Sequence, residues 1–172
     1  MNYNNKTFES KKFNNINFSG NSFFNSTFID CNFTNCNLSN VDLTNTKFQD
    51  VLFENCKILG LNFSNCNTFI IKLIFKNSLI SMSIFINLDL RNNIFNSCQI
   101  YDCDFTNSNL TNTDFEYSDL KNTIFQDSNL NFASFKFAKN YDINPKFNNI
   151  KKAKFTMPEV VNLLNGLDIK IE

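Results

Sequence analysis

The chain has 172 residues, with sixteen Lys plus Arg set against sixteen Asp plus Glu, so no net field marks the whole molecule as a partner for a polyanion or a polycation. It holds 22 Phe but no Trp and no His, only 3 Gly and 2 Pro, and Asn makes up about a fifth of it, a skew that signals repetition rather than ordinary globular composition. The length suits one domain; the first residues, MNYNNKTFES, contain no apolar leader, and the greasiest stretch, Phe69 to Phe75, is broken by Lys72, so a cytoplasmic protein with no membrane span is expected.

From the N-terminus, every fifth residue between Phe8 and Phe63 is Phe, Leu or Ile: Phe8, Phe13, Phe18, Phe23, Phe28, Phe33, Leu38, Leu43, Phe48, Phe53, Ile58, Phe63. Between Phe63 and Phe75 lie two residues more than two pentads, so a register shift is expected across 64–74. It forms either a bulge on one edge or a tolerated insertion. The step then resumes without a miss from Phe75 through Ile80, Phe85, Leu90, Phe95, Ile100, Phe105, Leu110, Phe115, Leu120, Phe125 and Leu130 to Phe135. Two places before these centres stand short side chains such as Cys31, Val41, Thr46, Cys98, Ser108 and Thr113, so both positions look inward.

A period of five is not helical, because five steps of about 100° miss the starting face by roughly 140°. It is not a plain strand either, since an odd period turns the side chain to the other face at each repeat. What remains is a short extended segment followed by a corner, and repeated corners close a coil whose turns stack about 4.8 Å apart. Phe alternates with Leu or Ile from Phe75 to Phe135, and stacked turns keep that alternation in register only if the number of sides is even. Four sides place Phe115 over Phe95 and Leu120 over Ile100, with aromatic columns on two opposite walls.

After Phe135, Pro145 forbids a ladder donor, so a loop is expected at 138–149, and the phase returns at Ile150 and Phe155 for a last partial turn. Thr156 to Glu159 has the form of a capping box opening a short helix, with Val160, Leu163, Leu164 and Leu167 on one side and Asn165-Gly166 at its end. The tail from Leu167 to Glu172 alternates like a half-buried strand. The expected division is a β-helix over 1–155 and a C-terminal helix and strand over 156–172.

Segments such as CNFTN, VDLTN, CDFTN and SDLKN resemble the A(D/N)Lxx unit of the pentapeptide-repeat family across roughly residues 6 to 137. The resemblance implies an all-β, right-handed quadrilateral β-helix. The run DINPKFNN followed by MPEVVNLLNGLDIKI is similar to the C-terminal element of the Qnr-type and microcin-immunity branch. That branch dimerises through a C-terminal helix and strand, engages DNA gyrase, and protects it from quinolones or peptide toxins. On this resemblance a homodimer is expected, joined through Val161, Leu164, Leu167, Ile169 and Ile171.

Catalytic chemistry is not expected: there is no His, no phosphate loop and no nucleophile elbow, and Asp104, Asp114 and Asp119 face water from different walls. All six cysteines, with Cys66 counted against the extrapolated centre at Thr68, fall two places before a centre, as small inward residues, so free thiols are expected and no metal or other cofactor. Seven acids lie between Asp89 and Asp127, namely Asp89, Asp102, Asp104, Asp114, Glu116, Asp119 and Asp127, while six Lys follow from Lys136 to Lys154. The acids suggest a rod that mimics the phosphate ladder of DNA and binds DNA gyrase or topoisomerase IV. The alternative is a generic protein-interaction scaffold, built on the exposed Asn, Ser and Thr. Direct nucleic-acid binding through Lys146, Lys151, Lys152 and Lys154 is disfavoured, because the stacking aromatics are spent in the core.

Overall fold

Residues 2–67, 71–167 and 169 are described by a computed structural model. The chain winds into a right-handed quadrilateral β-helix of about seven turns. Parallel pairing always joins residues one turn apart: Thr7–Glu9 pairs with Thr27–Ile29, Lys12–Asn14 with Asn32–Thr34, and Gln99–Tyr101 with Leu79–Ser81. Four walls result, named here by their inward centres. The first carries Phe8, Phe28 and Phe48 and later Leu90, Leu110 and Leu130; the second runs from Phe13 and Phe33 up to Phe135 and Phe155. Phe18, Leu38, Ile58, Ile80 and Ile100 form the third, and Phe23, Leu43, Phe63, Phe85, Phe105 and Phe125 the fourth.

The core is a herringbone of rings. On the second wall Phe75, Phe95, Phe115, Phe135 and Phe155 stack with centroids 5.0 to 5.2 Å apart. Phe85 and Phe105 stack at 4.6 Å on the opposite wall, and the two columns meet edge to face, as between Phe95 and Phe105 at 5.5 Å and 88°. Both arrangements suit the ring quadrupole and add about 0.5–1.5 kcal/mol per pair beyond burial. From Phe75 onward Leu and Ile fill the other two walls, as at Ile80, Leu90, Ile100 and Leu110, so the alternation read in the second half of the sequence is the alternation of walls; in the first turns Phe8, Phe28 and Phe48 stack on the first wall as well.

Two features explain residues that hydrophobic periodicity leaves unassigned. The residue two places after nearly every centre forms the corner and lies in the left-handed region, as at Asn25 (φ 56°), Asn45 (φ 55°), Asn107 (φ 58°) and Asp127 (φ 54°), Asn65 and Met157 being exceptions. Asn, Asp and Gly tolerate that conformation best, and Gly20 and Gly60 occupy the same corner as Asn40. Corner amides also link turns: Asn25 Nδ2 donates to Asn5 Oδ1 at 3.0 Å and Asn45 Nδ2 to Asn25 Oδ1 at 2.6 Å. This is why Asn is so abundant.

The residue two places before most centres is small, the larger exceptions being Lys6, Lys11, Ile16, Leu61, Leu73 and Leu88, and in most turns it is also a donor. Its side chain bonds the carbonyl of a centre in the turn below: Cys36 Sγ to Phe13 O at 3.3 Å, Thr113 Oγ1 to Leu90 O at 3.0 Å, Ser118 Oγ to Phe95 O at 2.6 Å. Cys, Ser and Thr share the position because each supplies a short donor.

The step between paired residues changes after Asn67. Asn67 still bonds Thr46 one regular turn below, whereas Val51 pairs with Leu73 and Phe53 with Phe75, two residues out of step. The two extra residues therefore fall between Asn67 and Leu73. Past the loop the register is regular again, with Phe135 paired to Phe155.

The C-terminal element differs from expectation in two respects. Residues Glu159–Leu167 form a 3-10 helix, one residue past the predicted stop at Gly166 and tighter than the α-helical spacing implies. Thr156 does not cap it: its Oγ1 accepts the Phe137 N–H at 2.8 Å, so the hydroxyl ties the last turn to the turn below. The tail strand and Ile171 lie outside the described residues.

Candidate protein interface

Every turn exposes three positions per wall: the residue before the centre, the residue after it, and the corner. The seven acids singled out in the sequence occupy these positions on all four walls. Asp89 lies on the first wall, Asp114 and Glu116 on the second, Asp119 on the third, Asp104 on the fourth. Asp102 and Asp127 stand at left-handed corners. The fold brings Asp114 and Glu116 together, and Asp102 with Asp104 around one corner, but it does not align the seven in one ladder.

Several of these carboxylates also serve the backbone. Asp104 Oδ1 accepts Thr106 N–H at 2.8 Å and Asp114 Oδ1 accepts Glu116 N–H at 2.7 Å, each closing the turn that follows its centre. Asn37, Asn62 and Asn109 make the same bond elsewhere, so the acid at this position satisfies a demand of the repeat itself. Periodicity hid this role, although Asn and Asp recurring one place before each centre was its visible sign.

Charge is partly cancelled locally. Arg91 forks onto Asp89 at 2.6 Å, and its hydrogen bonds hold the Asp89 carboxyl below the usual carboxylate range. Glu116 Oε1 accepts from Ser134 at 2.6 Å and lies 4.0 Å from Lys136 Nζ. Asp119 accepts from Tyr101 OH at 3.1 Å and from Asn140 Nδ2 at 2.7 Å. Burial and the neighbouring Asp119 push the Tyr101 phenol upward.

The six cysteines are buried and unbonded to one another, and burial pushes Cys56, Cys66, Cys98 and Cys103 up to about 12. They are inert packing residues rather than nucleophiles. Among the described residues no group of three or more His, Cys, Asp or Glu is placed to hold a metal ion, and no helix is long and apolar enough to cross a membrane. A trough of ≈ 690 Å³ runs between the last loop and the third and fourth walls, lined by the amides of Asn122, Asn140, Asn144, Asn148 and Asn162. Lys121 and Asp142 are the charged residues that line it.

At the C-terminal end Leu163 packs against the core, while Leu164, Leu167 and Ile169 stand exposed and Val161 is half-buried. Outside the core, Phe24, Tyr117, Phe132, Phe137 and Phe147 also stand exposed. The sequence expectation that the aromatics are spent inside is therefore wrong for these five: three sit at corners, Phe24 directly after a centre, and Phe147 in the loop, where the five-residue step does not bury them.

No curated protein sequence matches the chain. Among solved structures, a trypsin-treated form of QnrB1, a plasmid-mediated fluoroquinolone resistance protein, superposes with a TM-score of 0.53 at 15% identity, over 100% of this chain and 94% of that one. A second trypsin-treated form of QnrB1 gives 0.49 at 15%, over 99% and 93%. HetL, a pentapeptide repeat protein involved in heterocyst differentiation regulation from the cyanobacterium Nostoc sp. strain PCC 7120, gives 0.34 at 10%, over 92% of each chain. At such identity the likeness is one of fold. Family models described as pentapeptide repeat region and as pentapeptide repeats (8 copies) match residues 6–83 and then 75–112 and 108–139, and on that span the chain belongs to the pentapeptide-repeat family.

Proposed function

We propose that this protein is a non-enzymatic binding rod that acts in the cytoplasm on a type II topoisomerase, DNA gyrase or topoisomerase IV, and protects it from a quinolone or a peptide toxin. The observation that carries this reading is a rigid, closed β-helix of the same fold as QnrB1 with outward carboxylates in its middle turns. Spaced carboxylates on a stiff rod compete with duplex DNA for a cationic groove. Asp102, Asp104, Asp114, Asp119 and Asp127 are the contact residues on this reading, because Arg91 and Lys136 sit against Asp89 and Glu116. Two chains meet tail to tail through Val161, Leu164, Leu167 and Ile169, which lengthens the rod. A supercoiling assay with purified gyrase, with and without ciprofloxacin, tests it. Protection or inhibition is expected, and neither effect together with no binding to gyrase or topoisomerase IV eliminates the topoisomerase.

A second reading rests on its own observation. The acids are spread over four walls, and Asp104 and Asp114 close turns as Asn does elsewhere, so their presence follows from the repeat without any cationic partner. On this reading the chain is a protein-interaction scaffold with no topoisomerase role. Replacing Asp102, Asp119 and Asp127 by Asn separates the two: gyrase binding is lost on the first reading, while on the second there is none to lose.

A further inference from the structure

Left-handed corners belong to Asn, Asp, Ser and Gly almost throughout, and the exceptions are Met82, Tyr117, Phe132, Phe137 and Lys152. Large side chains are strained in this region, and such strain marks places where something other than local backbone preference is selected. Four of the five flank one stretch of the second wall. On one corner Tyr117 and Phe137 stack at 5.0 Å with planes 15° apart, and Met157 follows Phe155 in the chain as Phe137 follows Phe135. On the other corner Lys152 Nζ lies 5.4 Å from the centre of the Phe132 ring. Tyr117, Phe137 and Phe132 are 58%, 54% and 44% exposed, so they form two apolar rails outside a core already closed by Phe115 and Phe135, and Met157, which does not adopt the left-handed corner, is 74% exposed.

Between the rails the charge runs from Asp114 and Glu116 in the lower turn to Lys136 and Lys154 in the upper ones. Glu116 is engaged by Ser134 and Lys136, whereas among the described residues neither Lys152 nor Lys154 has a carboxylate partner. The upper part of the wall therefore combines uncompensated ammonium groups with exposed apolar side chains.

We infer that this stretch of the second wall docks an acidic protein segment whose apolar side chains lie against the two rails. A single-stranded nucleic acid fits less well. Bases stack on open ring faces, but Tyr117 and Phe137 cover each other and Lys152 covers Phe132. The inference concerns a different wall from the carboxylates of Asp102 and Asp104, and it stands whether or not gyrase is a partner.

The test is a selection of random peptides displayed on phage against the full chain. Selected peptides are then synthesised and measured by fluorescence anisotropy beside oligothymidylate. Peptides combining Asp or Glu with aromatic or branched aliphatic residues are expected. Phe137→Asn and Lys154→Glu should each weaken them about tenfold, as a central interface contact does, while Asp104→Asn leaves them unchanged. Phe137→Asn installs the residue that corners prefer, so an unchanged circular-dichroism spectrum accompanies the loss. No acidic consensus, binding unaffected by Phe137→Asn, or oligothymidylate bound as tightly as the peptides would each overturn the inference.

Discussion

Ser118 offers a direct test of how the turns are held together. It is buried; its Oγ donates to Phe95 O at 2.6 Å and accepts the Cys98 N–H at 2.9 Å. Replacing it with Ala takes a partner from two buried backbone groups while removing only one small oxygen. An orphaned buried donor or acceptor costs about 1–3 kcal/mol, so Ser118→Ala should lose roughly 2–6 kcal/mol, a large share of the roughly 5–15 kcal/mol typical of a domain. Ser118→Thr retains the hydroxyl, as at Thr113 and Thr123, and should stay within about 1 kcal/mol of the parent. Urea unfolding followed by circular dichroism reads the loss as a lower midpoint at unchanged slope. Hydrogen exchange at the Cys98 amide should accelerate in the folded protein. A Ser118→Ala variant within about 0.5 kcal/mol of the parent, with the Cys98 amide still protected, would refute the reasoning, since surface-like changes are of that size.

Three further outcomes follow from the same geometry. Phe105→Ala, which empties a place between Phe85 and Phe125, should lose about 3–5 kcal/mol in urea unfolding, whereas Phe105→Leu should lose far less. At the corner, Asn107→Ala should lower the melting temperature through a cost of about 1 kcal/mol while Asn107→Gly leaves it nearly unchanged, because φ is 58° there. Burial pushes the thiols of Cys56, Cys66, Cys98 and Cys103, and the Tyr141 phenol, up to about 12, so the folded chain holds protons that the unfolded chain releases earlier. Stability is therefore full below about pH 8.5 and falls as pH rises from there toward 12, which urea midpoints at neutral and alkaline pH measure.

The tube was legible because its core repeats: Phe or Leu at every fifth place, with strict alternation along the second half, leaves few backbones that bury all of them. Its four walls and the shift after Phe63 came from the same count. The corners were not legible, because Asn25 or Asn107 looks like any polar surface residue until φ is known. Ser118 and Cys36 were recognised as small but not as donors, since inward size is visible in a periodic pattern and hydrogen-bond direction is not. Thr156 was misassigned because a local motif was weighed without Phe137, a full turn below it. The candidate sites were less legible for a physical reason: hydrophobic centres report where side chains point, whereas Asp89, Asp104 and Asp119 depend on which wall they occupy and on neighbours such as Arg91 and Tyr101. Tyr117, Phe132 and Phe137 were overlooked because an aromatic residue in this chain is by default a core residue.

The four-walled turn is tested most directly by cross-linking. Ser22 and Asp42 stand one turn apart on the outside of the fourth wall, with Ser22 Oγ 2.8 Å from Asp42 Oδ2. Stacked turns bring their Cα atoms to about 4.8 Å, inside the roughly 4.4–6.8 Å range of disulfides. Under mild oxidation Ser22→Cys with Asp42→Cys should form a disulfide detectable by peptide mass, while Ser22→Cys with Asn37→Cys, one pentad closer in sequence, should not. Efficient bridging of the Asn37 pair and none of the Asp42 pair would mean a three-sided turn, and would contradict the account.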